Sequence, residues 1–181
     1  MTDVMIDFET LGTKPTSVPL SIGAVAFNPN SATIISRFHR NIDIDSSLAA
    51  GLTIGGATVM WWLNQTAEAR KALADPPPIS IKEMMSDFTR WVKPILGRDG
   101  NVWSHGSIFD ISIIENIYRT FGESPPWFFT RIMDTRTVFR ITSFDFTAWN
   151  KARGGVAHNS LDDSIAQVEA LSLCWNRISV K

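Results

Sequence analysis

Asp7 and Glu9 stand two positions apart in the stretch DVMIDFET, residues 3–10, and no Lys or Arg occurs in the first thirteen residues. Side chains of an extended strand alternate between its faces. Val4, Ile6 and Phe8 therefore share one face, and Met5, Asp7 and Glu9 share the other. Two carboxylates then meet near the strand's C-terminal end. Burying them is costly unless something positive meets them. That partner is either a distant Arg or a metal ion. Other acidic residues fall where open α/β sheets gather their sites, at the C-terminal ends of strands. Asp110 follows WSHGSIF and opens a helical stretch; Asp163 lies in the first turn of the last helix, with His158 five residues before it. Hard divalent cations take oxygen ligands. Two of them about 3.5–4 Å apart can hold the attacking and leaving oxygens of a phosphoryl displacement. Four carboxylates and a His acting as base would suffice for that chemistry. Spacing alone does not make these groups meet.

The elements that would position them can be read from pattern. Residues 4–9 form a first strand and PLSIGAVAF, 19–27, a second. A turn, NPNS at 28–31, leads to a third strand in ATIISRFHRNI, which makes an antiparallel hairpin beside the first. Helical periodicity runs from about 58 to 74, in two pieces broken near Gln65, and PPP at 76–78 stops it. Ser80 and Glu83 make a capping box for a long helix to about Leu96. NVWS, 101–104, is a short buried strand; FDISIIENIYRTFG is a helix closed by Gly122; RIMDT, 131–135, is a strand with a helix after it. SLDDSIAQVEALSLCWNRIS is the final helix. A mixed sheet with flanking helices, an α/β fold, follows from this order.

Composition narrows the partners. A chain of 181 residues, 44% hydrophobic, is long enough for one domain with a real core. The net charge of −1 gives no global attraction to nucleic acid or anionic lipid, so any nucleic-acid binding rests on local basic groups around an acidic site. The single Cys174 excludes an intramolecular disulfide and a multi-Cys metal site, and suits a reducing cytoplasm. It lies on an apolar helical stripe and reads as a core residue. No signal peptide is evident and no stretch approaches a membrane span.

Three motifs then carry a resemblance. D-F-E-T at 7–10, F-D at 109–110 and H-N-S-L-D-D at 158–163 resemble, in order, those of the DnaQ-like 3′–5′ exonucleases. The H-x4-D form of the third resembles the DEDDh subgroup. VWSHGSIFDISIIENIY is similar to the small stand-alone bacterial and phage branch, which includes exonuclease A-type phage enzymes and related exoribonucleases. The resemblance runs from Asp3 to about Leu173. It implies an RNase H-like fold in a single domain over residues 1–181. It implies a metal-dependent 3′–5′ exonuclease that hydrolyses single-stranded DNA or RNA ends to nucleoside 5′-monophosphates. Asp7, Glu9, Asp110 and Asp163 would hold two Mg²⁺ or Mn²⁺ ions, and His158 would take a proton from the attacking water. Thr10 and Leu11 would grip the 3′ end and wedge against its base, Phe109 would line the same pocket, and His105 would contact substrate. A homodimer is implied as well, which an exposed Trp61 or Trp62 would suit. Two positions depart from the family pattern. His105-Gly106 replaces a frequent His-Asn before the second motif, and Ser160 stands where the third motif often has Ala.

Each residue also has a plainer reading. Ser160 and Asp163 make a capping box on their own. Leu11 and Phe109, taken singly, are core residues, as are most of the seven Trp. Asp162 is solvated or bound to a backbone group, and Asp134 makes a structural hydrogen bond. Lys14, Arg131, Arg136, Arg140, Lys151 and Arg153 are the cations that could meet phosphates, the last two in NKARGG, 150–155, a Gly-rich loop ahead of His158. IDFET also resembles the D-x-D-x-T pattern of aspartate-nucleophile phosphatases, against which Glu9 and the H-x4-D arrangement argue. A non-catalytic nucleic-acid-binding module is the other rival, although all five catalytic positions are filled.

Overall fold

The computed structural model describes residues 2–155 and 158–178. Its strands are β1 (Asp3–Thr10), β2 (Pro19–Phe27), β3 (Ile34–Asn41), β4 (Val102–Ser104) and β5 (Ile132–Asp134). Its helices are α1 (Ile44–Ala49), α2 (Gly56–Leu63), α3 (Ala67–Ala72), α4 (Ile81–Leu96), α5 (Asp110–Thr120), α6 (Thr135–Ile141), α7 (Phe146–Arg153) and α8 (Ser160–Ile178). The sheet order is β3-β2-β1-β4-β5, with β1–β2–β3 antiparallel and β4 and β5 parallel to β1. This is the mixed sheet with an N-terminal antiparallel hairpin that the sequence pattern predicts.

The alternation along β1 divides the molecule into layers. Val4, Ile6 and Phe8 enter the larger core with Met84 and Phe88 of α4 and Ile113 and Ile117 of α5. Met5 points the other way, into a second core with Val168 and Leu171 of α8. The face that carries Asp7 and Glu9 is therefore the face that α8 covers. The buried carboxylate of Asp3 ties the starts of β1 and β4 together. It accepts from the Asn101 backbone N–H at 3.0 Å and from the Trp103 indole at 2.8 Å.

Helix starts follow their caps. Ser80 Oγ accepts from the Glu83 N–H at 3.3 Å at the start of α4, as its sequence signature predicts. Two short helices depart from the sequence reading. Asp43 caps α1 and Asp145 caps α7, so three helices follow β5 rather than two, and Asn150–Arg153 belong to α7 rather than to a loop. Among the described residues no helix is long and apolar enough to cross a membrane.

Candidate active site

β1 delivers Asp7 and Glu9 to its C-terminal end, where the register shifts between Glu9 and Thr10. Such an irregularity re-aims the side chains beside it. The first turn of α8 is pressed onto the neighbouring strand β2. Ser21 and Ser160 share a hydrogen bond of 2.9 Å between hydroxyls, and Ser164 Oγ donates to the Gly23 carbonyl at 2.9 Å. A Cβ on Gly23 would fall inside the backbone of Ser160 and Leu161, so only glycine lets the helix come this close. Gly23 is also the β2 partner of Asp7. The contact that docks α8 thus lies beside the first carboxylate. It brings donor oxygens of Asp7, Glu9 and Asp163 within 4.8 Å of one another.

Two more groups fix the cluster. Gln167, one helical turn after Asp163, donates from Nε2 to Asp7 Oδ1 at 2.8 Å. Asp110 opens α5 and accepts from the Phe8 backbone N–H at 3.1 Å, which seats it next to β1. The turn before Asp110 is held by Asp134, whose carboxylate accepts from the Ser107 N–H at 2.7 Å and caps α6 at the Arg136 N–H. Asp134 thus makes the structural hydrogen bonds expected of it. Ser160 does not cap α8: it is buried against Ser21, and Asn159 Oδ1 accepts from the Leu161 and Asp162 N–H groups instead.

The electrostatics of the cluster are one-sided. Burial, and then the charges of Asp110, Glu9 and Asp163, raise the pKa of Asp7 well above the carboxylate range. Burial, followed by Asp163 and Asp110, pushes Glu9 up to about 8. Asp110 rises to about 7 by burial, against the pull of the Phe8 N–H, and Asp163 to about 6 by burial and the neighbouring Asp162. Among the described residues none of the four forms an ion pair. Clustered hard oxygen donors that raise one another's pKa, with no ion-paired Arg or Lys, fit a divalent cation.

His158 sits in the left-handed region, φ 62°, one residue before the Asn159 cap. Its ring meets Trp61 edge to face at 4.7 Å and Trp62 at 6.1 Å. Burial there lowers its pKa below 6.5. Trp62 is itself pinned, donating from Nε1 to the Thr10 carbonyl at 2.9 Å, and Trp61 is 42% exposed. The indole pair therefore splits between core and surface as a helix requires.

Two hollows flank the carboxylates. One, of about 400 Å³, is lined by Glu9, Thr10, Trp61, Trp62 and Phe109. The other, of about 490 Å³, is lined by His105, Phe146, Lys151, Asp162 and Asp163 among others. Leu11 belongs to neither. Its backbone N–H turns to the Val18 carbonyl at 2.8 Å and its side chain is buried in the core, where it lines a separate apolar hollow with Leu20 and Ile54. Leu11 thus lines a different hollow from Thr10 and Phe109. His105 shares a 2.9 Å hydrogen bond between Nδ1 and Thr135 Oγ1 and packs on Phe146, centroids 4.7 Å apart; burial and the Arg136 charge lower its pKa to about 4. Among the described residues, two of the six candidate cations are held in ion pairs. Arg131 pairs with Asp99 at 3.2 Å, and Arg153 pairs with Asp162 at 3.3 Å and Glu169 at 2.7 Å. Asp162 is therefore ion-paired rather than solvated.

Sequence reasoning missed Gln167, Ser21 and Gly23. The first had a signal, since it falls four residues after Asp163 on one helical face. The other two did not.

Residues 2–175 match the model of the 3′-5′ exoribonuclease Rv2179c-like domain. The chain belongs to this family. An exodeoxyribonuclease of Enterobacteria phage T4 is 28% identical over 129 residues, which are 66% of this chain and 56% of the phage protein. The chain thus spans a little over half of that relative. Among solved structures, E. coli exonuclease I in complex with a dT13 oligonucleotide superposes with a TM-score of 0.74 at 17% identity, over 99% of this chain and 42% of that one. The nuclease domain of 3′hExo, a DEDDh family member bound to rAMP, superposes with a TM-score of 0.67 at 17% identity, over 97% of this chain and 92% of that one. The Rv2179c-like chain therefore has the RNase H-like DEDDh nuclease fold.

Proposed function

We propose that this chain acts as one nuclease domain, a metal-dependent 3′–5′ exonuclease that releases nucleoside 5′-monophosphates from single-stranded DNA or RNA. The observation that carries the reading is the meeting of Asp7, Glu9 and Asp163 donors within 4.8 Å, with Asp110 close enough to raise the pKa of Asp7 and Glu9. Asp7, Glu9, Asp110 and Asp163 would hold two Mg²⁺ or Mn²⁺ ions. When bound, such ions supply a positive charge against the scissile phosphate and lower the pKa of water. Gln167 orients Asp7 for that task, and the Phe8 N–H orients Asp110. His158 enters the reaction neutral, because burial holds its pKa down, and takes the proton of the attacking water. Water oxygen bonds to phosphorus, and the 3′ oxygen of the upstream nucleotide leaves with its electron pair. The hollow lined by Thr10, Trp61 and Phe109 would receive the 3′-terminal nucleotide. Membership of a nuclease family leaves the aspartate-nucleophile phosphatase without support.

Digestion of single strands labelled at the 5′ end tests this. Stepwise shortening that requires Mg²⁺ or Mn²⁺, stops with EDTA and is prevented by a blocked 3′ end is expected for DNA or RNA, and running both strands side by side shows which sugar is accepted. Cleavage of a circular single strand would sink the exonuclease assignment, and tight binding without cleavage would make the chain a nucleic-acid-binding module.

A further inference from the structure

A hollow of about 390 Å³ opens between β3 and α4, lined by Arg37, Phe38, Arg40, Asp87, Arg90 and Trp91. That volume falls within the roughly 300–1,000 Å³ range of small-molecule sites. β3 is an edge strand of the sheet, and Asp87, Arg90 and Trp91 share one face of α4 by their spacing of three and four. Phe38 belongs to the core beneath α4, whereas Asp7 lies on the face that α8 covers, bonded to Gln167. The hollow is therefore on the other side of the sheet from the carboxylate cluster, and none of its residues belongs to that cluster.

Three guanidiniums meet one carboxylate here, which makes the hollow cationic on a chain whose net charge is −1. Arg40 is fixed from several sides. It donates from Nε and Nη2 to Asp87 Oδ2 at 3.2 and 3.1 Å and from Nη1 to the His39 carbonyl at 2.8 Å, and its guanidinium lies 4.9 Å from the Phe38 ring centroid. The Trp91 indole donates from Nε1 to Ser36 Oγ at 2.9 Å, with its ring against Phe38 and Phe88. Arg90 reaches Asp87 Oδ1 at 3.2 Å yet keeps 76% of its side chain exposed. Arg37 is exposed and, among the described residues, forms no ion pair. The result is a pinned aromatic ring beside two cations that still present N–H donors.

Guanidinium forks bind phosphate through paired N–H groups, and an aromatic face stacks on any base. A surplus of two positive charges matches a phosphate monoester, which carries about −1.5 to −2 near pH 7, better than a strand's internal diester with its single charge. We propose that the hollow between β3 and α4 binds a nucleoside 5′-monophosphate group, with Trp91 against the base and Arg37 and Arg90 on the phosphate. A free mononucleotide and the 5′-phosphorylated end of a strand both present this group. The site stands independently of the exonuclease reading, because it requires binding and no cleavage.

Calorimetric titration of the full chain with adenosine 5′-monophosphate, in EDTA at constant ionic strength, tests it. EDTA leaves the carboxylate cluster without a cation that could draw a phosphate there. One nucleotide per chain should bind, and adenosine and inorganic phosphate should each bind at least tenfold more weakly. Arg37→Ala and Arg90→Ala, both at exposed positions, should each weaken the nucleotide about tenfold; Lys71→Ala, which removes an exposed cation of α3, should not. Binding should quench part of the tryptophan fluorescence, and that quench should vanish in Trp91→Phe. A hexanucleotide with and without a 5′-phosphate separates the two sources. A strand that binds more tightly than the mononucleotide, and only when phosphorylated, identifies the strand end; a phosphorylated strand that binds no better identifies the free nucleotide. No binding, or an affinity unmoved in both Arg variants, would overturn the site. Inorganic phosphate bound as tightly as the nucleotide would mean an adventitious ion only, and overturn it too. So would strand binding that needs Arg37 and Arg90 but not the 5′-phosphate, since that is general attraction to the backbone. A chain that binds the nucleotide here and cuts no strand would remove the exonuclease reading and leave this site in place.

Discussion

Asp7 and Asp163 face each other across the boundary between sheet and helix, and each is costly to ionise while the other is charged. Replacing one should therefore separate activity from stability. Asp7→Asn keeps shape and the capacity to bond Gln167 while removing charge. Its kcat/KM should fall by about 10³-fold or more, several kcal/mol of lost metal-dependent stabilisation. Its thermal midpoint in EDTA at pH 8 should rise, as shown by calorimetry. His158→Ala should lower kcat by about 10²–10⁴-fold with little change in metal affinity. The pKa of His158 is lowered, so its basic form accumulates from below pH 6.5 upward. The acid limb of the wild-type pH–rate profile should lie below that value and flatten in the variant. His105→Ala serves as the control; if it removed the limb instead, the general base would have been placed on the wrong histidine.

At the scale of elements, the fit of α8 on β2 sets the site. Gly23→Ala would force the helix off the sheet at Ser160. Overpacking of this kind costs about 1–3 kcal/mol. The thermal midpoint should fall by roughly 2–4 °C per kcal/mol, and activity should be lost out of proportion to stability because Asp163 moves with the helix. Gln167→Ala should lower activity by about 10–100-fold, the usual effect of losing a group that orients a metal ligand, with a smaller change in midpoint. An equal loss of both in either variant would mean that α8 is only a structural cover. These elements also show what the sequence could and could not reveal. The strands were legible because β1 and β2 are apolar runs bounded by turn residues, and α4 because its apolar stripe follows a Ser80–Glu83 cap. α7 was not, because FTAWNKAR has no residue that becomes buried and its helix is anchored by ring contacts of Phe146 and Trp149 with Phe139 and Phe144 from other segments. Its Asp145 cap was the available clue. The four carboxylates and His158 were visible as motifs. Their support was not, since Ser21, Gly23 and Gln167 matter only through partners more than a hundred residues away.

Over the whole molecule the same cluster should govern response to pH. Glu9, Asp110 and Asp163 titrate in the fold at about 8, 7 and 6, all above their ordinary values, and Asp7 is raised further by its neighbours. A group whose folded pKa is raised contributes stability that is complete below its unfolded pKa and is lost as pH rises through the folded one. The metal-free protein should therefore lose stability between about pH 5 and pH 8, with a Tm fall on the order of 5 °C or more. Saturating Mg²⁺ or Mn²⁺ should flatten or reverse that slope, because a bound cation stabilises the charged form. A metal-free Tm that rose steadily across this window would contradict the raised pKa values and the crowding behind them.

The two faces of β1 have a consequence for variation along the strand. From Ile6 to Glu9 the even positions are spent on the core and the odd ones on chemistry. A saturation mutational scan scored separately for abundance and for turnover should show the two scores swinging in opposite phase, residue by residue. Substitutions at Ile6 and Phe8 would deplete the protein itself, whereas those at Asp7 and Glu9 would leave it abundant and inert. Deleting one residue in this run would exchange the two parities at a stroke. The run from Ile6 to Glu9 is thus constrained at every position for one of two separate reasons, and its length is constrained for both at once, so indels should stop at its borders.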